Sequence, residues 1–256
     1  MDIRQQKAWN ILLIGDLCLD VYHYGICERM SPEAPIPVFK ERRKETRLGM
    51  SGNVRLNLES FGLHVEHLHN QELIEKHRFV EERYNQQLFR CDQGESVLDE
   101  PLTPSINKHF DAVVISDYNK GSVTPATFRA LKEKINPLTP VFVDSKKQDL
   151  RIFEDSFIKI NDLEASRAIT EQAQNVIVTL GSRGALWGGQ LFETEKVDVF
   201  AVCGAGDVFL SALTYGYLKY GNLPDAIAIA NRCASLSVTK MGTYVLTKDD
   251  INDLCI

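Results

Sequence analysis

Residues 199–218, VFAVCGAGDVFLSALTYGYL, are the stretch from which the expected fold follows. The stretch begins with apolar residues, passes through Gly204, Ala205 and Gly206, and continues after Asp207 as an apolar segment without proline. Glycine has no Cβ, so the backbone at this turn can lie close to a ligand. The pattern predicts a helix that begins at the turn. The free N–H groups and the positive dipole end of such a helix favour a bound anion.

Asp207 directly follows the turn, where a bound anion would repel its carboxylate. One hypothesis is that Asp207 takes the proton from a hydroxyl that attacks a phosphoryl group, since phosphoryl transfer uses such a residue beside its phosphate site. The alternative is that Asp207 caps the helix, which is a common role for aspartate. The spacing alone favours neither hypothesis.

The turn matches neither of two common nucleotide-binding motifs. A dinucleotide fingerprint requires a third glycine, where this chain has Phe209. Gly216 and Gly221 have the spacing of a P-loop, but Asn222 stands where the motif requires lysine. Any nucleotide must therefore be held by another arrangement.

The composition indicates a globular protein. Its 256 residues, 44% hydrophobic and 25% charged, suit one large domain or two small ones with a full core. The formal net charge of −6 argues against nonspecific binding of nucleic acid. No apolar run reaches the roughly 18 residues of a membrane span, and no signal-peptide pattern is visible. Because the cysteines form no C-x-x-C pair, we expect reduced thiols and a cytoplasmic location.

Short apolar runs alternate with helical segments along the chain. Four runs predict buried strands: residues 11–14, 113–115, 141–143 and 176–180. The alternation predicts an α/β fold with a mostly parallel sheet that helices cover on both faces. Asp20 follows the first strand, at the edge where open α/β sheets bind ligands. It could accept hydrogen bonds from substrate hydroxyls or lie in a solvated loop.

Two segments lack helical periodicity and predict a small β flap beside the main sheet. Prolines at positions 32, 35 and 37 exclude a helix interior from residues 21–47. Residues 79–92 combine strand-forming residues with a polar centre at positions 85–87. We expect the flap to comprise about residues 21–47 and 77–92.

Motifs along the whole chain resemble those of the ribokinase-like (PfkB-type) carbohydrate kinases. Within this family, the chain is most similar to the kinase domain of the bacterial D-glycero-beta-D-manno-heptose 7-phosphate kinase/heptose 1-phosphate adenylyltransferase. The order of the motifs is more specific than any single one. The matching stretches are GDLCLD (15–20), YGICERMSPEAPIPV (24–38), GMSGN (49–53), NQQLFRCD (85–92), SDYNKG (116–121), VDSKK (143–147), NDLE (161–164), VTLGSRGAL (178–186), GAGD (204–207) and KMGT (240–243).

The resemblance implies an ATP-dependent sugar kinase with a three-layer αβα sandwich and a β flap that serves as a lid. ATP and Mg²⁺ are the implied cofactors, and Glu164 is implied in indirect contact with the metal. Asp207 is implied as the base and the GAG turn as the anion hole. The implied catalytic residues are Asp207, Gly204, Ala205 and Gly206; the ATP-binding residues are Asn161, Glu164, Gly181, Gly184 and Asn231; the substrate-binding residues are Asp20, Glu33, Gly49, Asn53, Gln87 and Lys120.

Three positions depart from the family pattern, one of which is Ala201, where the family usually has aspartate. Met50 stands where the family has the second glycine of a pair, and its side chain would crowd the sugar. Cys203 stands where a threonine precedes the GAGD motif. A cysteine beside a helix N-terminus is a candidate for a reactive thiolate. We expect Cys203 instead to be a small buried substitute for threonine.

The chain is also shorter than the family pattern. Nine residues separate Leu68 from Arg78, whereas the family inserts a βαβ crossover of roughly 30 residues there. Eleven residues separate Glu164 from Val176, which leaves room for one helix. We expect a single kinase domain over residues 1–256 without the adenylyltransferase domain. The histidine-rich residues 62–70 are then expected to form an exposed edge strand rather than a metal site.

Three functions remain open at this point. The first is a kinase that phosphorylates a sugar phosphate, with O1 of heptose 7-phosphate as the best match. The second is a PfkB-type kinase of another sugar, such as ribose or fructose. The third is a non-catalytic subunit that binds sugar or nucleotide. The departures at Met50 and Cys203 favour this third function. The presence of Asp207, Asn161 and Glu164 favours an enzyme. We also expect a homodimer through the flap, because isolated β-ribbons are marginal in water.

Overall fold

The computed structural model describes residues 8–94, 102–104, 106–170, 175–240 and 242–256. The strands in chain order are β1 (Asn10–Gly15), β2 (Leu17–Met30), β3 (Pro37–Met50), β4 (His64–His69), β5 (Glu75–Glu81), β6 (Gln86–Gln93), β7 (Ala112–Asp117), β8 (Val141–Ser145), β9 (Phe157–Asn161), β10 (Val176–Thr179), β11 (Ala185–Trp187) and β12 (Gln190–Phe192). The helices are α1 (Ser51–Ser60), α2 (Pro125–Lys134), α3 (Asp162–Ala165), α4 (Ala205–Tyr220), α5 (Leu223–Val238) and α6 (Lys248–Asp253).

The main sheet has eight strands in the order β12-β11-β10-β9-β8-β7-β1-β4. Strands β1, β4, β7, β8, β9 and β10 are parallel, whereas β11 and β12 add an antiparallel hairpin at one edge. Every residue of β7 is buried, as expected for a strand with neighbours on both sides and helices on both faces. The mostly parallel sheet predicted from the apolar runs is confirmed.

Helices cover both faces of this sheet. One core joins α1, α4 and α5 to one face, with Leu13, Leu58 and Leu213 among its buried residues. The other core joins α2 to the opposite face and contains Phe128 and Val143. The predicted three-layer αβα arrangement is therefore confirmed. None of the helices in the described ranges is long and apolar enough to span a membrane.

The flap is a separate four-stranded sheet in the order β3-β2-β5-β6. Strand β2 pairs antiparallel with β3 and parallel with β5, and β5 pairs antiparallel with β6. Only Asp16 separates β1 from β2, so the flap is attached directly to the carboxyl end of a central strand. Both predicted flap segments belong to this sheet.

Strand β4 forms one edge of the main sheet, and the chain passes from it to the flap within a few residues. His67 on β4 accepts or donates a hydrogen bond at Nε2 with Ser51 Oγ at 2.9 Å. Burial lowers the pKa of His67 to about 3, so its ring is neutral. Within the described ranges, no group of three or more His, Cys, Asp or Glu side chains is arranged to hold a metal ion.

The segment between Glu164 and Val176 has room for one helix, but the described residues after Ala165 do not form it. Helix α3 ends at Ala165, and residues 166–170 are not helical. The N–H of Ile169 donates to the Gln148 carbonyl, and the Ile169 carbonyl accepts from Leu150, so this backbone is drawn into an extended bridge. Residues 171–174 lie outside the described ranges.

Met50 joins β3 to α1 with φ 53° and ψ −128°, and its side chain is buried beside Cys18 and Ile74. A residue with a Cβ is strained in this region of backbone conformation, whereas glycine adopts it readily. The glycine that the resembling family has at this position fits the same backbone. Met50 is thus a strained residue whose apolar side chain is well packed.

We expect Met50→Gly to be more stable than Met50→Ala, by about 1 kcal/mol, which reverses the usual order of these two residues. Both variants lose the buried side chain, but only glycine relieves the positive φ. The free energy of unfolding from denaturant titration measures the difference. Arg55, in the middle of α1, is the control: Arg55→Gly should be less stable than Arg55→Ala by about 1 kcal/mol. Equal stability of the two Met50 variants would contradict the assigned strain.

Candidate active site

Helix α4 begins at the predicted turn, with its N-terminus beside the carboxyl ends of β8 and β9. Gly204 precedes the helix with φ 84°, in the left-handed region. A Cβ on Gly204 would lie 2.9 Å from Thr243 Cγ2 and 3.0 Å from Asn53 Nδ2. Any other residue would therefore be both strained and crowded at this position, and the chain can turn here only through glycine.

Asp207 lies in the first turn of α4 and is only 5% exposed. The Asn53 amide donates to its Oδ2 at 2.8 Å, and the Tyr118 hydroxyl donates to its Oδ1 at 3.2 Å. Burial raises the pKa of Asp207 to about 6, and the carboxylate of Asp144 adds to this rise. The hydrogen bonds and the Lys159 ammonium act in the opposite direction. Among the described residues, the hydrogen-bond partners of the Asp207 carboxylate come from other elements, so the capping alternative does not describe its side chain.

A buried ion pair lies against the start of α4. Lys159 Nζ on β9 bonds Asp144 Oδ2 on β8 at 2.6 Å, and both side chains are almost fully buried. A Cβ on Gly206 would lie 2.7 Å from Lys159 Nζ, so glycine allows the ammonium to approach the helix N-terminus. Asp144 Oδ1 is buried and has no hydrogen-bond partner among the described residues. Two sources of positive potential, the ammonium and the helix dipole, therefore meet beside Asp207.

Asn161 and Glu164 form a reciprocal cap at the start of α3. Asn161 Oδ1 accepts from the Glu164 N–H at 2.8 Å, and Glu164 Oε2 accepts from the Asn161 N–H at 2.8 Å. Lys146 bonds the other oxygen of Glu164 and lies 3.9 Å from Asp144 Oδ1. The spacing of the NDLE motif is therefore also that of a capping box, which holds Glu164 in a fixed position.

Two adjoining cavities extend from Asp207. A cavity of about 540 Å³ is lined by Asp207, Tyr118, Asp144, Lys146, Lys159, Asn161 and neighbouring residues. A second cavity of about 170 Å³ shares Thr179, Gly181, Val202 and Gly206 with the first and extends to Gly184 and Asn231. Four of the five implied ATP-binding residues thus line the two cavities, namely Asn161, Gly181, Gly184 and Asn231, whereas Glu164 lines neither and bonds the lining residue Lys146. The Asn231 amide itself donates to the Phe192 carbonyl at 2.8 Å, so it also ties β12 to α5.

Asp20 and Gly49 adjoin on paired strands of the flap. Asp20 is 5% exposed and accepts at Oδ1 from Arg78 Nη2 at 2.9 Å. The alternative that Asp20 lies in a solvated loop is therefore wrong, because the residue is buried within strand β2. A Cβ on Gly49 would collide with Asp20 Oδ2.

Glu33, Gln87 and Lys120 are not brought into the group around Asp207. Glu33 is exposed in the loop between β2 and β3, and Gln87 is exposed on β6. The backbone N–H of Lys120 donates to the Asp16 carboxylate at 3.1 Å. None of these three residues lines either of the two cavities beside the start of α4.

Cys203 is exposed, which corrects the expectation of a small buried residue. Its Sγ lies 3.6 Å from Thr243 Oγ1. The apolar residues just before it are exposed as well, with Phe200 at 71% and Val202 at 73%. The beginning of the 199–218 stretch therefore borders the cleft and does not enter the core.

Several residues of the site carried no assigned role in the sequence. Lys159 interrupts the apolar run FIKI, and a lone charge within a buried strand is the signal that identifies it. Arg78 and Tyr118 had no such signal, because each lies in a polar stretch whose neighbours in space are set by tertiary contacts. The motif SDYNKG contained Tyr118 without indicating its bond to Asp207.

Comparisons with known proteins show which families and folds this chain is similar to. Residues 150–250 match the pfkB family carbohydrate kinase model. The bifunctional protein HldE of a Nitratiruptor species is 30% identical over 299 residues, covering 95% of this chain and 64% of that protein. The HldE protein of Campylobacter jejuni subsp. jejuni serotype O:2 is 31% identical over 300 residues, covering 97% and 65%. The chain thus spans slightly less than two thirds of these relatives.

Solved structures of low sequence identity share the fold. The nucleoside kinase of Methanocaldococcus jannaschii, a ribokinase-family member, superposes with a TM-score of 0.68 at 17% identity, covering 97% of this chain and 98% of that one. The ribokinase of Arabidopsis thaliana, complexed with ribose and ATP, gives 0.66 at 16% identity, covering 96% and 98%. Residues 150–250 thus match the pfkB carbohydrate kinase family, and the chain has the ribokinase-like fold.

Proposed function

We propose that this protein is an ATP-dependent sugar kinase that transfers the γ-phosphoryl group of ATP to a hydroxyl of a sugar phosphate. The observation that carries the proposal is the setting of Asp207. Its buried carboxylate has a pKa raised to about 6 and lies beside a helix N-terminus and the Lys159 ammonium. These features suit a base that is ionised at neutral pH and still basic enough to accept a proton.

The reaction assigned to the site is an in-line transfer. Asp207 accepts the proton of the attacking hydroxyl as the new oxygen–phosphorus bond forms and the bond to the leaving ADP oxygen breaks. The N–H groups at the start of α4 and the ammonium of Lys159 stabilise negative charge on the transferred group. The glycines at 204 and 206 let the phosphoryl group lie close to the backbone.

The cleft residues fit ATP and a hydrated Mg²⁺. Valines 197, 199 and 202 and Ala234 line the smaller cavity and offer an apolar surface for a base. Lys146 and Lys159 line the larger cavity, where phosphates would lie. The unpartnered Asp144 Oδ1 and the Glu164 carboxylate could accept hydrogen bonds from metal-bound water, since Mg²⁺ keeps several waters. When bound, the metal would neutralise phosphate charge.

The sugar is proposed to bind between the flap and α1. Asp20, oriented by Arg78, and Asn53 are assigned to sugar hydroxyls, and Gly49 leaves space beside Asp20. The choice of heptose 7-phosphate as the acceptor, at O1, rests on the motif resemblance, with Glu33, Gln87 and Lys120 as additional contacts. Ribose, fructose and similar sugars are the competing substrates. ATP consumption over a panel of sugars and sugar phosphates, including heptose 7-phosphate, separates these choices and the non-catalytic alternative.

We expect Asp207→Asn to lower kcat by about 10²–10⁴-fold, because the amide cannot accept the proton. ATP binding should change little, since the substitution preserves the shape of the side chain. Initial rates and calorimetric titration with a non-hydrolysable ATP analogue measure the two effects. Asp225→Asn, at the start of α5, is the control for a lost carboxylate outside the cleft. A kcat of the Asp207 variant close to that of the wild type would rule out the assigned base.

Glu164→Gln should raise the Mg²⁺ concentration needed for half-maximal rate, because it removes a negative charge near the proposed metal position. Glutamine can still complete the capping box, so helix α3 should persist. A Mg²⁺ titration at saturating sugar measures the effect, with Glu154→Gln as the matched charge control. If both variants keep the wild-type Mg²⁺ dependence, Glu164 has no part in metal binding.

A homodimer through the flap is also proposed. Phe79 stacks on Phe89 with ring centroids 4.3 Å apart, and Phe39 contacts Phe79 edge-on at 5.5 Å. Phe89 nevertheless remains 52% exposed, so the aromatic cluster is covered on one side only. A two-fold contact between flaps would cover both copies of the cluster with a single self-complementary surface. The competing arrangement is a monomer whose flap closes over its own cleft.

Sedimentation velocity at micromolar concentration should give a dimer for the wild type. Phe89→Asp should shift the protein to monomers, because a charge would then be buried in the contact. Phe39→Asp should do the same. Leu138→Asp, at an exposed position of the main domain, should leave the dimer intact. A wild-type monomer, or a dimer that tolerates both flap substitutions, excludes this interface.

A further inference from the structure

Tyr118 is the residue that directly follows β7, and its side chain connects three parts of the structure. Its hydroxyl donates to Asp207 Oδ1 at 3.2 Å. Its ring packs against the small apolar cluster of Cys18, Met50 and Ile74 at the base of the flap. The ring therefore has little freedom to move the hydroxyl away from the carboxylate.

The backbone of the Tyr118 loop is also held in place. Asp16, which is fully buried, accepts hydrogen bonds from the N–H groups of Tyr118 at 2.8 Å, Lys120 at 3.1 Å and Ser122 at 3.3 Å. A buried carboxylate with several N–H partners fixes the loop that contains them. Both ends of the Tyr118 side chain are thus anchored, at the loop backbone and at Asp207.

Among the described residues, the charged groups that face Asp207 are Asp144 on β8, Lys146 directly after β8 and Lys159 on β9. Asp144 on β8 disfavours the ionised form of Asp207, and Lys159 on β9 favours it. These two residues bond each other at 2.6 Å, so their effects on Asp207 largely oppose one another. Among the groups that stabilise the carboxylate, the hydrogen bond from Asn53 on α1 lowers its pKa most, the Lys159 ammonium follows, and the hydrogen bond from Tyr118 adds a smaller effect.

Tyr118 remains a donor over the pH range in which Asp207 titrates. Burial and the adjacent Asp207 carboxylate raise the pKa of the Tyr118 hydroxyl well above its ordinary value. A neutral phenol donates one hydrogen bond, and a carboxylate oxygen accepts more than one. Oδ1 can therefore keep its bond to Tyr118 while the carboxylate also accepts from a substrate hydroxyl.

We propose that Tyr118 is a positioning residue for the Asp207 base, whose hydroxyl orients the carboxylate and keeps it ionised at neutral pH. The proposal rests on the proposed kinase function and assigns a role to a residue outside the catalytic turn. It also explains why the loop after β7 is anchored so firmly by Asp16. Without the Tyr118 hydroxyl, burial would leave Asp207 protonated over more of the neutral range.

The test is the pH dependence of kcat/KM in wild type and in Tyr118→Phe, which keeps the ring and removes the hydroxyl. Wild-type activity should fall as the pH drops through about 6, where Asp207 takes up a proton. In the variant, the same fall in kcat/KM on the acidic side should lie about one pH unit higher. Its activity should be about fivefold lower near the wild-type midpoint and little changed at higher pH. Tyr220→Phe, at the far end of α4, should match the wild type.

Site-specific replacement of Tyr118 by 3-fluorotyrosine should shift the acidic limb of the kcat/KM profile in the direction opposite to that expected for Tyr118→Phe. The fluorinated phenol is a better hydrogen-bond donor, so the acidic limb should move to lower pH while the ring packing is retained. Thermal unfolding of each variant shows whether the fold is unchanged. A uniform loss of activity at all pH values in Tyr118→Phe, or limbs that stay at the wild-type midpoint in both variants, would overturn the positioning role.

Failure of the inference can be distinguished from failure of the proposed function. If Asp207→Asn retains activity, or if the wild type phosphorylates no sugar, the assigned base or the kinase function is wrong, and the role of Tyr118 falls with it. If the wild type has an acidic limb that Asp207→Asn abolishes and Tyr118→Phe leaves in place, the kinase function stands and only the role of Tyr118 is refuted.

Discussion

The burial of the Asp207 carboxylate is the constraint on which the rest of the site depends. An ionised group removed from water is destabilised by several kcal/mol unless hydrogen bonds or opposite charge replace its hydration. Here the replacement comes from Asn53 at the start of α1, Tyr118 after β7 and the Lys159–Asp144 pair between β8 and β9. Each of these groups belongs to a different element, so the ionisation of one carboxylate depends on the correct assembly of the whole sheet edge.

Close backbone approach is the second constraint on the site. Gly204 accommodates Asn53 and Thr243, Gly206 accommodates the Lys159 ammonium, and Gly49 accommodates the Asp20 carboxylate. In each case a group from another residue lies where a Cβ on the glycine would crowd it. The same rule makes Met50 informative, because a side chain persists there on a backbone that favours glycine. Packing against Cys18 and Ile74 offsets part of that strain.

The flap and the main sheet are coupled through a short and rigid connection. Asp16 lies between β1 and β2 and binds the loop after β7, so the position of the flap is tied to the loop that holds Tyr118. The segment between β4 and β5 has five residues, and β4 lies at the edge of the main sheet. The short segment lies at the edge of the main sheet. The cleft is built at the ends of β8 and β9, which lie inside the sheet, so the short segment does not remove it.

The sequence by itself determined the α/β class, the central strands, the β flap and the helix that begins at Gly204, because apolar periodicity and glycine placement are local signals. It also indicated Asp207 and the motifs along the cleft. Tertiary structure alone decided that Asp207 bonds Tyr118 and Asn53, that Arg78 pairs with Asp20, that Cys203 is exposed and that residues 166–170 after α3 are not helical. Several contacts of the site join residues far apart in the chain, such as Asp20 with Arg78 at 58 positions and Asn53 with Asp207 at 154. Local sequence carries no record of such contacts, since desolvation and charge pairing act only after the elements have packed.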